Sequence, residues 1–401
     1  MKRKISFTVA LIVLISTIFY TRYAYSYCLP FPTVENGILI KDCKPYRAIG
    51  VNYFDGFLRT LRNPKDKSYK KGLKLLSKNG IPFIRVNIGG YWPKDWELYI
   101  KHKDLYFSLL DEFIKTAEKY NLGLVITFFW NISAIPDLMG EPISALGNPK
   151  SKTIAFIKNF TYEVVSRYKN SPAIWIWEFG NEYSNFIDLP GKKYPKTAPQ
   201  FGTPRFRTKR DKVHWSDIVT AFLVFADTVR KVDKIRLLST GNSIPRPSAY
   251  NLAFYKKWAK DTKEQFKFML SLLNPEPYNL ISVHLYPHHL GKYFNLYNFN
   301  ELIEFLNITA KELGKILFIG EFGVCRKNKY IQSLINEKKL FFSIINAIYA
   351  KNIYLSAIWV YDRVKKSDPC NITFYNDRKY QLEYISKLNL KLQKEVELWT
   401  K

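Results

Sequence analysis

Two glutamates in this chain stand in settings that could support covalent chemistry. Glu182 closes the segment Trp177-Glu-Phe-Gly-Asn-Glu182, and Glu321 lies in Ile319-Gly-Glu-Phe-Gly323. Each ends a short run of β-forming apolar residues. Other such runs end in Arg85-Val-Asn87, in Trp130-Asn131, in His284-Leu-Tyr286, and in Trp359 with Tyr361. Two carboxyl groups facing one another are what cleavage of a glycosidic bond requires. One must be protonated to deliver a proton to the leaving oxygen, and the other must be ionised to attack or stabilise the developing oxocarbenium ion. If the second is a nucleophile, the pair should stand roughly 5 to 5.5 Å apart and the anomeric configuration is retained.

Such groups need a scaffold that brings distant segments to one place. The strand candidates are Ala48–Tyr53, Phe83–Ile88, Gly123–Phe129, Ala173–Glu178, Ile235–Thr240, Leu280–Leu285, Ile316–Gly320 and Ser356–Tyr361. Between them, Leu105–Tyr120, Lys152–Tyr168, Ser216–Val232, Phe299–Leu313 and Ser333–Ala350 carry apolar residues at helical spacing. Asn79-Gly80, Asn121-Leu122-Gly123 and Gly314 read as helix stops before the next strand. Alternation of strand and helix implies a parallel sheet, and eight strands are the number that closes a (β/α)8 barrel. The fold expected is therefore α/β, a TIM barrel in one domain with elaborated βα loops. An open doubly wound sheet is the alternative, but it calls for a Gly-rich phosphate loop after the first strand, and Gly50-Val-Asn-Tyr-Phe-Asp-Gly56 is not one. Barrel enzymes draw their reactive groups from the C-terminal ends of the strands, where both glutamates fall.

The remaining features bound the setting. Lys2, Arg3 and Lys4 precede an uncharged, mostly apolar run from Ile5 to Tyr20, and Ala24-Tyr25-Ser26 offers a cleavage site. The run is shorter than the roughly 20 residues that span a bilayer, so residues 1–26 read as a cleaved signal and 27–401 as the catalytic domain, with an N-terminal membrane anchor as the alternative. The product would be secreted, extracellular or periplasmic. Four cysteines suit an oxidising compartment and allow three pairings, among which sequence does not choose. Cys28 with Cys43 and Cys325 with Cys370 is the preferred arrangement, since the first would tie down the new N-terminus and the second would join two late loops. The formal charge is +28, and +24 once Lys2, Arg3, Lys4 and Arg22 are lost. That favours weak attraction to anionic surfaces, but no nucleic-acid motif accompanies it, and a monomer is expected. One irregular insertion, Tyr183–Val213, is rich in Pro, Gly, Lys and Arg and should sit at the barrel mouth.

The Trp-x-x-x-Asn-Glu pattern at 177–182 and Ile319-Gly-Glu321-Phe-Gly resemble the acid/base and nucleophile motifs of the clan A glycoside hydrolases, most nearly the cellulase and β-mannanase family. The resemblance runs over roughly residues 45 to 365. It implies Glu182 as acid/base and Glu321 as nucleophile. It implies further that Asn181 holds the sugar 2-hydroxyl, that Arg85 keeps Glu321 ionised, and that Tyr286 donates to it. His284 would line the site, and Trp359 would be the floor on which a sugar ring stacks. Trp130 and Asn131 stand where many members carry a His, and with His284-Leu-Tyr-Pro287 they lean toward the mannanase-like branch. Tyr183 replaces the Pro that usually follows the acid/base.

Several residues have plainer readings. Glu178 competes with Glu182 but should point into a hydrogen-bonded layer of the barrel. Trp175 and Trp177 read as core. His284, His288 and His289 lack a carboxylate at metal-ligand spacing, so no metal or other cofactor is expected. Asn131, Asn159, Asn307 and Asn371 lie in glycosylation sequons. Beside the leading reading, an enzyme acting on a β-1,4-linked polysaccharide of mannose or glucose, stand two others. One is a carbohydrate-binding protein that has lost catalysis, and the other is a basic protein that adheres to anionic surfaces.

Overall fold

A computed structural model describes residues 28–191, 193–326 and 334–399. The expected leader, Lys192 of the insertion and Ser333 at the head of the last expected helix lie outside them. Eight parallel strands form the sheet that the sequence predicts: β1 (Ala48–Asn52), β2 (Phe83–Asn87), β3 (Gly123–Phe129), β4 (Ile174–Gly180), β5 (Leu237–Ser239), β6 (Leu280–Leu285), β7 (Ile316–Phe322) and β8 (Leu355–Ile358). Hydrogen-bonded neighbours run from β5 back through β1 to β8, β7 and β6. Only the β5–β6 seam lacks a ladder. Side chains bridge it: the Asn279 amide oxygen accepts from the Leu238 N–H at 3.2 Å, and the Ser282 hydroxyl donates to the Asn242 carbonyl at 3.0 Å. The result is a nearly closed (β/α)8 barrel.

Alternation along the strands sorts residues by layer. Ile84, Val86, Ile126, Phe128, Val283 and Ile319 point outward and pack with the helices in one large apolar cluster. Those helices include Lys103–Lys119, Lys152–Tyr168, Trp215–Val232, Phe299–Glu312 and Leu334–Ala350. Inside, the strand starts supply a second cluster of Ala48, Phe83, Val125, Leu280, Ile316, Phe318, Leu355 and Ala357, sealed by Phe31 and Leu39. Leu39 belongs to a three-stranded antiparallel sheet (Thr33–Glu35, Ile38–Lys41, Lys44–Pro45) that closes the lower end of the barrel. The inner surface is therefore greasy at the bottom, which leaves the polar inward positions for the top. Gly123 is required by this packing, because a Cβ there would lie 2.2 Å from the Trp175 ring.

Both expected disulfides are present, Cys28–Cys43 and Cys325–Cys370, closing loops of 15 and 45 residues. On chain-entropy grounds each contributes about 3 to 4 kcal/mol. Among the described residues no helix is long and apolar enough to cross a membrane. Sequence reasoning did not reach the sealing sheet, nor the helices Tyr69–Lys78, Ala249–Tyr255, Lys263–Leu272 and Lys379–Trp399. The last of these covers β1. Its buried Asn389 takes both backbone groups of Ile49 at 2.9 Å, standing in for a neighbouring strand.

Candidate active site

Above the apolar plug, the inward positions turn polar. Asn52, Arg85, Thr127, Glu178, Ser239, His284 and Glu321 form a layer in which none is more than 5% exposed. Buried charge at this density is tolerable only if every group finds a partner. Arg85 provides most of them. Its Nε donates to Glu178 at 2.6 Å, Nη1 to Glu321 at 2.8 Å and to Asn52 at 3.0 Å, and Nη2 to Asn181 at 2.8 Å. Its plane lies 4.5 Å from the Trp130 ring. Thr127 and Ser239 complete the shell of Glu178 at 2.6 and 2.8 Å, so Glu178 belongs to the layer, as expected.

Glu321 reaches this layer through a fault in the ladder. Ile316 and Phe318 point inward and Leu317 and Ile319 outward, so strict alternation would turn Glu321 toward the helices. The β6 register instead runs from Ile319 opposite Val283 directly to Glu321 opposite His284, leaving Gly320 as an extra residue. That bulge re-aims the carboxylate into the barrel. Its Oε1 then accepts from Arg85 and its Oε2 from the Tyr286 hydroxyl at 2.6 Å.

Glu182 arrives differently. It lies two residues past β4, with a left-handed backbone (φ 54°, ψ 32°), a conformation that costs a non-glycine residue energy and persists where surroundings enforce it. Its N–H donates to the Gly241 carbonyl at 2.9 Å. Gly241 in turn presses so close that a Cβ would stand 1.9 Å from the Gly180 oxygen. The Glu182 Oε1 lies 2.9 Å from His284 Nδ1, and Oε2 accepts from the Asn185 amide at 3.0 Å. His284 Nδ1 is also 3.5 Å from Glu321 Oε2, so the imidazole stands between the two carboxyls.

Glu182, His284 and Glu321 each place one ligand-type atom within 4.8 Å of the other two. Among the described residues this is the one group whose donors could hold a metal ion, although each already has partners within the protein. Both carboxyls open on a cleft of about 380 Å³ that Trp130, Asn181, Tyr286 and Trp359 also line. A larger hollow of about 510 Å³ by Arg59, Tyr361 and Asp362 contains no pair of carboxylates.

Electrostatics divide the pair. Burial pushes Glu321 up; His284, Arg85 and the Tyr286 hydroxyl pull it down, while Glu182 adds to the rise, and its carboxyl settles above the ordinary value. Arg85 thus acts in the expected direction, favouring the ionised form of Glu321, while burial opposes it more strongly. Burial raises Glu182 too. There the hydrogen bond and charge of His284, the charge of Arg85 and the Ser243 hydroxyl prevail, and the carboxyl lies below the ordinary value. Burial and the two carboxylates hold the Tyr286 phenol well above its usual range, so it stays a donor.

Of the residues singled out from sequence, Glu182, Glu321, Asn181, Tyr286, Trp130 and Trp359 line the cleft, and Arg85 and His284 lie fully buried beneath it. Asn131 does not join them. Its amide oxygen accepts from the Ser133 N–H at 3.2 Å, capping the turn after β3, and it is absent from the cleft wall. Sequence reasoning missed Asn185, Ser243 and Asn52. For Asn185 a signal existed, since a polar residue three positions after Glu182 can reach back to it across a single turn.

The chain matches the family model described as "Cellulase (glycosyl hydrolase family 5)" over residues 41–361. It is 24% identical over 260 residues to mannan endo-1,4-beta-mannosidase 5 of Arabidopsis thaliana, covering 56% of this chain and 52% of that one. The chain thus spans about half the length of that relative. Among solved structures, a glycoside hydrolase family 5 mannosidase from Rhizomucor miehei superposes with a TM-score of 0.63 at 16% identity, over 92% of this chain and 99% of that one. The hyperthermostable endo-1,4-beta-D-mannanase from Thermotoga petrophila RKU-1 gives 0.59 at 15% identity, over 86% of this chain and all of that one. At such identities the superpositions establish the shared barrel.

Proposed function

The chain belongs to the cellulase family, glycosyl hydrolase family 5, and on that premise we propose that it is a secreted glycosidase that cleaves a β-1,4-linked polysaccharide of mannose or glucose with retention. The observation that carries this reading is the pair Glu182 and Glu321, with ligand atoms no more than 4.8 Å apart over one cleft. So close an approach favours the roughly 5 to 5.5 Å carboxyl separation of retaining enzymes over the roughly 6.5 to 9.5 Å of inverting ones. Names of similar proteins favour mannan. Secretion is supported by the charged and apolar pattern of residues 1–26 and by the two disulfides.

In the proposed first step, Glu321 attacks the anomeric carbon from below while Glu182 passes its proton to the departing oxygen. Arg85 and Tyr286 each hold one oxygen of Glu321, which fixes the direction of attack. Arg85 also ties the Asn181 carbonyl, leaving its amide N–H to donate to the sugar 2-hydroxyl. Trp359 offers its face to the ring. In the second step Glu182, now ionised, takes a proton from water, which displaces Glu321 and restores the original configuration.

The acid role asks for a protonated Glu182, whereas in the free enzyme its carboxyl lies below the ordinary value. Substrate corrects the order. The Glu182 side chain is 29% exposed and Glu321 only 5%, so a sugar covering the cleft desolvates Glu182 far more and pushes it up. The alkaline limb should therefore lie at higher pH in kcat, which reports the complex, than in kcat/KM, which reports the free enzyme. Coincident limbs would count against the role of Glu182. The reaction itself is tested by incubating the protein with mannan, glucan, xylan and galactan and reading the first anomers by NMR. β-Configured products from mannan or glucan are expected. Initial α-anomers would refute double displacement, and silence on every polymer would refute the activity.

A further inference from the structure

Two segments of the rim carry charge that the proposed cleavage does not use. Residues 183–213 and 242–260 both enter the cleft wall, through Asn185 and Ser243. Together they hold twelve Lys and Arg against two acids, Asp188 and Asp211. Both acids are buried and satisfied from within. Asp188 faces His214 Nδ1 at 2.9 Å and the Trp215 N–H at 3.2 Å, and Asp211 accepts from the N–H groups of Ile143 and Thr208 at 3.2 and 2.7 Å. Arg207 is bound in a fork to Asp137 at 2.5 and 2.8 Å, which pins the insertion to the barrel. The insertion is therefore an anchored wall and not merely a solvated loop. By contrast, among the described residues Lys193, Arg205, Lys209, Arg210, Lys257 and Lys260 are exposed and take part in no ion pair.

Aromatic rings stand between these cations. Phe206 is 74% exposed, Trp258 59% and Tyr255 57%. Lys193 lies 5.7 Å from the Trp258 ring, which joins the two segments, and Arg205 lies 5.5 Å from that of Phe206. A hollow of about 130 Å³ between the two segments is lined by Phe186, Asp188, Lys193, Lys212, His214 and Lys256. Phe186 adjoins Asn185, whose amide holds Glu182. The basic surface is thus continuous with the side of the cleft on which the acid, and hence the leaving group, would stand.

Uncompensated like charges repel one another, and nothing in the fold requires them here. An anionic ligand relieves that repulsion, and exposed rings beside ammonium groups suit a sugar face next to an acidic substituent. We propose that this rim binds, on the leaving-group side, a β-1,4-linked polysaccharide bearing anionic groups, with Lys193 and Lys257 paired to the charges and Trp258 stacked on a sugar. The proposal rests on the glycosidase reading of the same cleft and adds the charge of the substrate to it. A polymer suits the surface better than a lipid headgroup layer, because the two basic segments that carry the cations also supply Asn185 and Ser243 to the cleft wall.

The test compares a neutral galactomannan with its carboxymethylated and sulfated derivatives, so that both sources of negative charge are probed. Wild type, Lys193→Glu/Lys257→Glu and Trp258→Ala are assayed for KM at about 50 and about 500 mM NaCl, where Debye lengths of roughly 14 and 4 Å turn surface attraction on and off. At low salt, KM for the anionic polymers should lie roughly tenfold below that for the neutral one. High salt or the double charge reversal should abolish that ratio, and Trp258→Ala should raise KM for all three polymers. A ratio that the charge reversal leaves unchanged would overturn the proposal. Affinity electrophoresis in gels containing each polymer reads binding without turnover. If wild type cuts none of them, the glycosidase reading fails, yet selective retention by the anionic gels that the double variant loses still upholds the rim. Equal retention by neutral and anionic gels overturns it, as does tighter binding to phosphatidylglycerol vesicles than to the anionic polymers.

Discussion

Glu321→Ala is expected to lower kcat on mannan by on the order of 10⁴-fold or more, about 5.5 kcal/mol of transition-state stabilisation, while the protein stays folded. The two halves of that expectation come from the same environment. A nucleophile held by Arg85 and Tyr286 at 2.8 and 2.6 Å has no substitute in the cleft, because the other carboxyl belongs to the opposite side of the bond being broken. Yet the buried carboxylate is itself a burden on the fold. A folded-state pKa raised above the unfolded value means the folded protein holds the proton more tightly, so the contribution to stability is full at low pH and lost as pH rises through the folded pKa. At neutral pH Glu321→Gln, which resembles the protonated form, should keep or raise Tm. Loss of activity with an unchanged or higher Tm cannot be ascribed to unfolding. Azide separates the two roles on an aryl β-glycoside. With Glu321→Ala it attacks directly and gives the inverted glycosyl azide, and with Glu182→Ala it intercepts the covalent intermediate and gives the retained one. The same anomer from both variants, or one-tenth of wild-type activity in Glu321→Ala, would sink the assignment.

How much of this was legible beforehand depended on whether the signal was local. The strands are readable because apolar runs such as Leu124-Val-Ile-Thr-Phe-Phe129 suit positions buried on both faces, and each candidate's bounds lie within three residues of the observed strand. Lys152–Tyr168 was found residue for residue, since its buried positions recur at helical spacing between a Ser cap and the end of the run. The catalytic pair could be named from its motifs and from the rule that barrels work at their upper rim. Its geometry could not. A one-residue bulge at Gly320 decides whether Glu321 faces the cleft or the helices, and no periodicity announces it. The left-handed backbone of Glu182 depends on Gly241, which is far away in sequence. Asn131 looked like a cleft residue because it ends a strand, but a short amide beside a turn satisfies the nearest N–H first. Asn185 lies in a stretch that reads as an irregular insertion, whereas its amide belongs to the acid.

Arg85→Met should cost roughly 3 to 5 kcal/mol of stability, because it removes the guanidinium that pairs with both Glu178 and Glu321 in a fully buried layer. The lost packing on Trp130 is small by comparison, since methionine refills much of the volume. The more telling effect is on pH dependence. Arg85 pulls both reactive carboxyls down, so its loss lets Glu321, already above the ordinary value, rise further. A protonated Glu321 cannot attack, and the acid limb of kcat/KM must move to higher pH. Glu182 loses the same attraction, so the alkaline limb should follow in the same direction. Arg85→Lys distinguishes charge from shape. It keeps a cation near Glu321 but cannot reproduce the fork that serves Glu178, Asn52, Glu321 and Asn181 at once. Its limbs should therefore move less than those of Arg85→Met, while kcat still falls because Asn181 loses the contact that aims it at the 2-hydroxyl. Denaturant midpoints and pH profiles of the two variants decide the matter together. An acid limb that stays put in Arg85→Met would mean that the guanidinium holds the site in shape without governing the charge of its nucleophile.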